Sequence, residues 1–114
     1  MDIKNINDSV VFSEKTFTKR ILYADRQTLS FVLNLKAGQT LPSHKHENST
    51  LVLNVLDGKG EIRINDEVEQ LEKGTFLSAK GEDDFEIPKV AEDMSLLVTI
   101  SPNPSNEIYS KELG

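Results

Sequence analysis

Between residues 28 and 35 the side chains alternate without a break, with Leu29, Phe31, Leu33 and Leu35 on one face and Thr28, Ser30, Val32 and Asn34 on the other. A period of two is that of extended chain, so the segment predicts an antiparallel strand with one face in a core. Residues 17–24 read as a second strand, joined to the first by a tight connection at Asp25-Arg26. Residues 51–56 are apolar on both faces apart from Asn54, which predicts a strand covered from both sides. With Leu51, Leu53 and Val55 inside, the face of Val52, Asn54 and Leu56 needs cover from an N-terminal strand near residues 10–12 or from a second subunit.

Beyond residue 56 the pattern is one of short strands separated by turn residues. Asp57-Gly58-Lys59-Gly60 reads as a hairpin turn whose glycines supply positive backbone angles. Residues 61–64 alternate charge with isoleucine, Asn65-Asp66-Glu67 turns again, and residues 68–71 return. Lys73-Gly74 breaks the chain before a strand at 75–79, and residues 80–84 form an acidic loop around Gly81. Strands resume near 85–87 and 94–100, and the tail after Pro102-Asn103-Pro104 predicts one helical turn or a docking strand. No helical period runs beyond roughly two turns, so roughly eight or nine short strands predict an all-β sandwich or barrel.

Composition narrows this without changing it. At 114 residues the chain suits one domain, 1–114, able to bury roughly two thirds of its unfolded surface. A hydrophobic fraction of 37% with 28% charged residues is globular. Cysteine is absent, which removes disulfides, thiolate metal ligands and thiol nucleophiles. The polar start and the lack of any long apolar run lead to the expectation of a cytoplasmic protein that does not enter membranes. The net charge of −6 falls unevenly, +2 over residues 1–56, −7 over 57–93 and −1 over 94–114. No basic stripe is present, so nucleic acid is not an expected partner. Phosphate-cradling glycine loops and a nucleophile elbow are likewise missing from the sequence.

The chemistry-bearing residues are the two histidines, His44 and His46, at i and i+2. On an extended strand they project from one face, roughly 6 to 7 Å apart, and form half of a metal site. Their setting is specific: Gly38, five residues, then His44-Lys45-His46, an apolar strand ending in Asp57-Gly58, a hairpin, and Lys73-Gly74, with Pro42 just ahead of the histidines. That order resembles the cupin family of small β-barrels over about residues 17–100. The resemblance implies a single-domain, cupin-like jelly-roll β-barrel with an N-terminal strand and a short C-terminal tail.

The resemblance also implies where further ligands would fall. The glutamate slot of the first cupin motif lands on Leu51, while Glu47 directly follows His46 and points away from the histidine face. The second motif aligns with residues 79–84: Gly81 matches, Ala79 replaces a proline, and the histidine slot falls on Asp84. If Asp84 faces inward, His44, His46 and Asp84 form a two-histidine, one-carboxylate set suited to Fe, Mn, Ni or Zn and to an oxygenase or isomerase type of cupin enzyme. If the register slips by one, Phe85 and Ile87 face inward, and the histidines share a pocket with Leu51 and Phe85. Three readings therefore stand: a small-molecule-binding cupin, a metal-dependent cupin enzyme, and a metal-free structural or sensing barrel. A homodimer is expected, since cupin-like barrels commonly pair through such sheets.

Overall fold

The computed structural model describes residues 1–104, 112 and 113. Seven strands are present among them: β1 (Thr18–Ala24), β2 (Leu29–Leu35), β3 (Leu41–His44), β4 (Thr50–Ile64), β5 (Glu67–Glu72), β6 (Phe76–Lys80) and β7 (Phe85–Ser101). All pairings between them are antiparallel. The all-β barrel expected from the alternation is the fold observed.

Two expectations from the sequence are corrected. Asp57-Gly58-Lys59-Gly60 is not a hairpin turn, because the 15-residue β4 runs straight through it. Likewise the strands expected at 85–87 and 94–100 are one 17-residue strand, β7. The physical reason is that β4 and β7 pair with each other along both their lengths, so breaking either would leave a row of ladder groups unpaired. The glycines serve the bend in that pair. Register shifts cluster between Val55 and Gly60, Gly58 has φ +94°, and a side chain there would collide with the backbone carbonyl of Asp93. A Cβ on Gly60 would lie 2.6 Å from the carbonyl oxygen of Lys89.

That corner divides the barrel. On one side, the first half of β4 pairs with β6 and with the second half of β7, which in turn pairs with β2 and, through it, β1. On the other side, the second half of β4 pairs with β5 and with the first half of β7, which pairs with β3. Leu29, Phe31, Leu33 and Leu35 from β2, Leu51, Leu53 and Val55 from β4, and Leu96, Val98 and Ile100 from β7 share one hydrophobic cluster.

The outer face of β2 carries an unusual polar node. Asn34, fully buried, donates from Nδ2 to the Ser9 carbonyl (2.9 Å) and the Thr18 hydroxyl (3.0 Å), and its Oδ1 accepts from the Ser95 hydroxyl (2.7 Å). These bonds hold the N-terminal segment across the sheet. The strand expected at residues 10–12 is absent, and a short 3-10 turn (Ile6–Ser9) followed by irregular chain lies there instead. Its Ile6, Val10 and Phe12 line a surface depression together with Leu56, so the segment lies beside the outer face of β4 without ladder pairing. No helix among the described residues is long and apolar enough to cross a membrane.

Replacing Gly58 tests the corner. Gly58→Ala meets both a positive φ and a backbone clash, and is expected to lower unfolding free energy by at least about 2 kcal/mol in urea titration. An unchanged midpoint would show that the strands bend elsewhere.

Candidate functional site

β3 delivers His44 at its last residue and the chain then leaves the sheet, so His46 sits in a loop rather than on a strand. The loop is nonetheless held by backbone bonds. The His46 N–H donates to the Gly81 carbonyl (2.8 Å), the Ser49 N–H to the His46 carbonyl (3.1 Å) and the Gly81 N–H to the Ser49 carbonyl (2.6 Å). A Cβ on Gly81 would strike the His46 and Ser49 carbonyls, so only glycine lets the two loops approach this closely. The glycine of the second motif is thus a packing requirement of the loop that carries His46.

The two imidazoles meet, though across a loop rather than along an extended strand. Their ring centroids are 4.6 Å apart with planes at 83°. His44 Nδ1 lies 2.8 Å from the Pro42 carbonyl. A carbonyl can only accept, so in the neutral ring the proton is on Nδ1 and Nε2 carries the lone pair. His46 is buried, and its pKa is pushed down to about 4, first by desolvation and then by the positive charges of His44 and Lys19. It is therefore neutral at physiological pH.

Phe85 completes the aromatic cluster. It pairs with His44 across β3 and β7, its ring centroid is 5.4 Å from His44 and 6.4 Å from His46, and it is 4% exposed. Of the two registers open in the sequence, this is the one with Phe85 and Ile87 inside. The reason is energetic: burying a phenyl ring stabilises by about 2–3 kcal/mol, whereas an unpaired carboxylate in the same place costs several. Asp84 lies outside, 55% exposed, with a carboxylate oxygen 4.0 Å from Lys45 Nζ and its N–H on Asn65 Oδ1 (3.0 Å). Glu47 is exposed, and Glu86 pairs with Arg63.

Behind the histidines the barrel holds a cavity of about 290 Å³. Leu51 and Phe85 line it, as do Leu41, Val98 and Phe17. So does Lys19, which sequence reasoning missed. Lys19 opposes Leu33 across β1 and β2 and therefore points inward. Its Nζ is 4.5 Å from the centroid of Phe31, and desolvation lowers its pKa to about 8. The signal was present, because Lys19 sits midway between Phe17 and Ile21 in a period-two run. The tail reaches the same place: Leu113 exchanges two backbone hydrogen bonds with Lys19, of 2.7 and 3.0 Å, and lines the cavity. This accords with the docking alternative for the tail, while residues 105–111, where a helical turn was the other alternative, lie outside the described residues.

A resident divalent metal does not fit this donor set. Such ions take at least about three protein ligands, and the cavity brings two imidazole nitrogens, with Leu51 and Phe85 in the remaining positions and a lysine nearby. Among the described residues no three of His, Cys, Asp and Glu are grouped to hold one.

Comparison with known proteins agrees with the architecture. The cupin domain profile matches residues 31–99. A solved protein of Thermus thermophilus superposes with a TM-score of 0.84 at 25% identity, covering 91% of this chain and 100% of that one. An RmlC-like cupin from Desulfovibrio desulfuricans gives 0.80 at 30% identity, over 90% and 97% of the two chains. Ectoine synthase from P. lautus gives 0.76 at 17% identity over 100% and 91%, a likeness of fold alone. No curated protein matches the chain significantly.

The buried neutral His46 has a pH consequence. Its folded pKa of about 4 lies below the ordinary histidine value of 6.5, so between these values the unfolded chain binds more protons. The stability it contributes is full above pH 6.5 and is lost as pH falls toward 4. Melting temperature should fall across that window, by an amount equivalent to ~2 kcal/mol after solvent screening. The fall should be shallower in His46→Gln; equal slopes in parent and variant would assign the loss to other groups.

Proposed function

Because the chain belongs to the cupin domain family, we propose that it is a small-molecule-binding cupin whose ligand enters the cavity behind His44 and His46 and meets the protein directly, without a resident divalent metal. The observation that carries this reading is Phe85 in the third ligand position, packed on both imidazoles. It turns a polar coordination site into an apolar chamber with polar atoms at one side. Leu41, Leu51, Phe85 and Val98 would hold the body of the ligand, with His44 and His46 forming the polar side of the chamber. The volume, roughly that of ten waters, lies at the small end for ligand pockets.

The binding reading predicts where probes go. Benzyl alcohol or cyclohexanol, titrated into isotope-labelled protein in EDTA, is expected to shift the amide resonances of Leu51, Phe85 and Val98 and to leave β5 unmoved. Leu51→Arg should weaken binding at least about tenfold by filling the chamber with a charged chain, while Asp84→Ala should leave it unchanged. Shifts that appear only after Fe(II), Mn(II), Ni(II) or Zn(II) is restored would overturn the reading.

We further infer a homodimer through the outer face of β4, β6 and β7. Phe76, 64% exposed, stands there opposite Asn54, with Leu97 on the other side of Asn54 in the same row, a face that a second copy would cover. Sedimentation should give twice the 12.8 kDa chain mass, and Phe76→Lys should return it to one. A parent protein that stays at one chain mass at all concentrations would reject the dimer.

A further inference from the structure

We propose that Glu112 and Leu113 form a detachable strap over the mouth of this cavity, and that its release from β1 sets the rate at which a ligand enters and leaves. This deepens the binding reading above and rests on it. Exposure marks the mouth. Among the described residues that line the cavity, Phe17, Pro42, Ser43, His44 and Leu113 keep contact with water, while the others are buried. One lip is β3, which supplies Pro42, Ser43 and His44. The other is the start of β1, with Phe17 just ahead of it and Leu113 alongside. Leu113 comes from outside the barrel, and at 41% exposed it stands between the chamber and water.

The way the strap is held lets it leave. β1 is the last strand on its side of the sheet and pairs with β2 from Thr18 to Ala24. On its outer edge Lys19 meets Leu113 in a single isolated bridge. The Lys19 N–H donates to the Leu113 carbonyl (2.7 Å) and the Leu113 N–H to the Lys19 carbonyl (3.0 Å). The Ile21 N–H donates to Glu112 Oε2 (2.8 Å), and Arg20 Nη1 donates to the Leu113 carbonyl (3.0 Å). An edge strand points every second N–H and C=O outward, and the strap answers those of Lys19 and Ile21 with two residues. The bonds through Glu112 and Arg20 lie at the surface, where water replaces them. Moving β3 instead would break its pairing with β7 at Leu41 and His44. A segment held by a few water-accessible bonds opens without unfolding what it covers, so the strap is the lip that moves. Its return lays an apolar side chain over an apolar ligand, which favours closure once the chamber is filled.

Exchange of benzyl alcohol, read from NMR line shapes in titrations of the full chain, tests this. Glu112→Ala removes the acceptor of the Ile21 N–H, and Leu113→Pro removes the donor to the Lys19 carbonyl. In the double variant the association and dissociation rates should each rise at least about fivefold while Kd stays within about threefold. The amide of Ile21 should exchange with solvent at least about tenfold faster than in the parent. Parent-like amide resonances across β4 and β7 show that the barrel of the variant is intact. Rates unchanged in the variant while the Ile21 amide is deprotected would mean that ligand enters elsewhere, overturning the strap and leaving the pocket standing. Faster dissociation with unchanged association would make Leu113 a fixed part of the wall and likewise overturn it. Absence of benzyl alcohol binding in both proteins would remove the binding reading and the strap together.

Discussion

The structure hangs on the pairing of two long strands, β4 and β7, with each other. Each crosses the barrel, pairs with different neighbours in its two halves, and changes partners at a corner where register shifts accumulate. Backbone hydrogen bonding makes the pairing obligatory and steric exclusion makes the corner possible. Gly58 and Gly60 lie against the carbonyls of residues 93 and 89, where a side chain would force the strands apart. Everything that forms the cavity is attached to this pair, since β3 docks on the first half of β7, and β2, with β1 behind it, on the second half.

The same geometry determines what kind of site the barrel holds. His44 and Phe85 face one another because β3 and β7 pair at those residues, and His46 joins them because the loop after β3 is bonded through Gly81. A carboxylate in place of Phe85 would need a counter-charge to offset its desolvation. A phenyl ring needs none and packs edge-on against both imidazoles. The chamber is therefore apolar by construction, and its polarity is concentrated in His44, His46 and Lys19. Lys19 is the costly member of that set, since its ammonium is drawn out of water and held over an aromatic ring.

Much of the barrel was legible in the sequence because β2 alternates strictly and the first half of β4 is a short apolar run, and both are local properties of the extended chain. The inward face of Leu29 to Leu35 could be read from alternation, and that of Leu51, Leu53 and Val55 from the register the cupin resemblance implies. The two glycine-containing segments at 57–60 and 80–84 could be located but not interpreted. A glycine with positive φ serves a hairpin and a bulged, continuous strand equally well, and only the partner strand distinguishes them. The inward lysine was legible in principle, lying between Phe17 and Ile21, but charge is usually taken as a mark of the outside.

The contrast between Asp84 and Phe85 shows where local reading stops. Alternation states that the two point to opposite faces, and cannot state which face is the interior, because the loop before them can absorb one residue without altering the pattern. Residue order thus settled the fold class and the family, both of which follow from short-range spacing, while His46 meets His44 through a loop held by Gly81. Long-range contacts settled the rest: the unbroken β4 and β7, the inward Phe85, the outward Asp84 and the buried Lys19. Each of these depends on which strand lies alongside, and that neighbour is set by the folded chain rather than by the residues on either side.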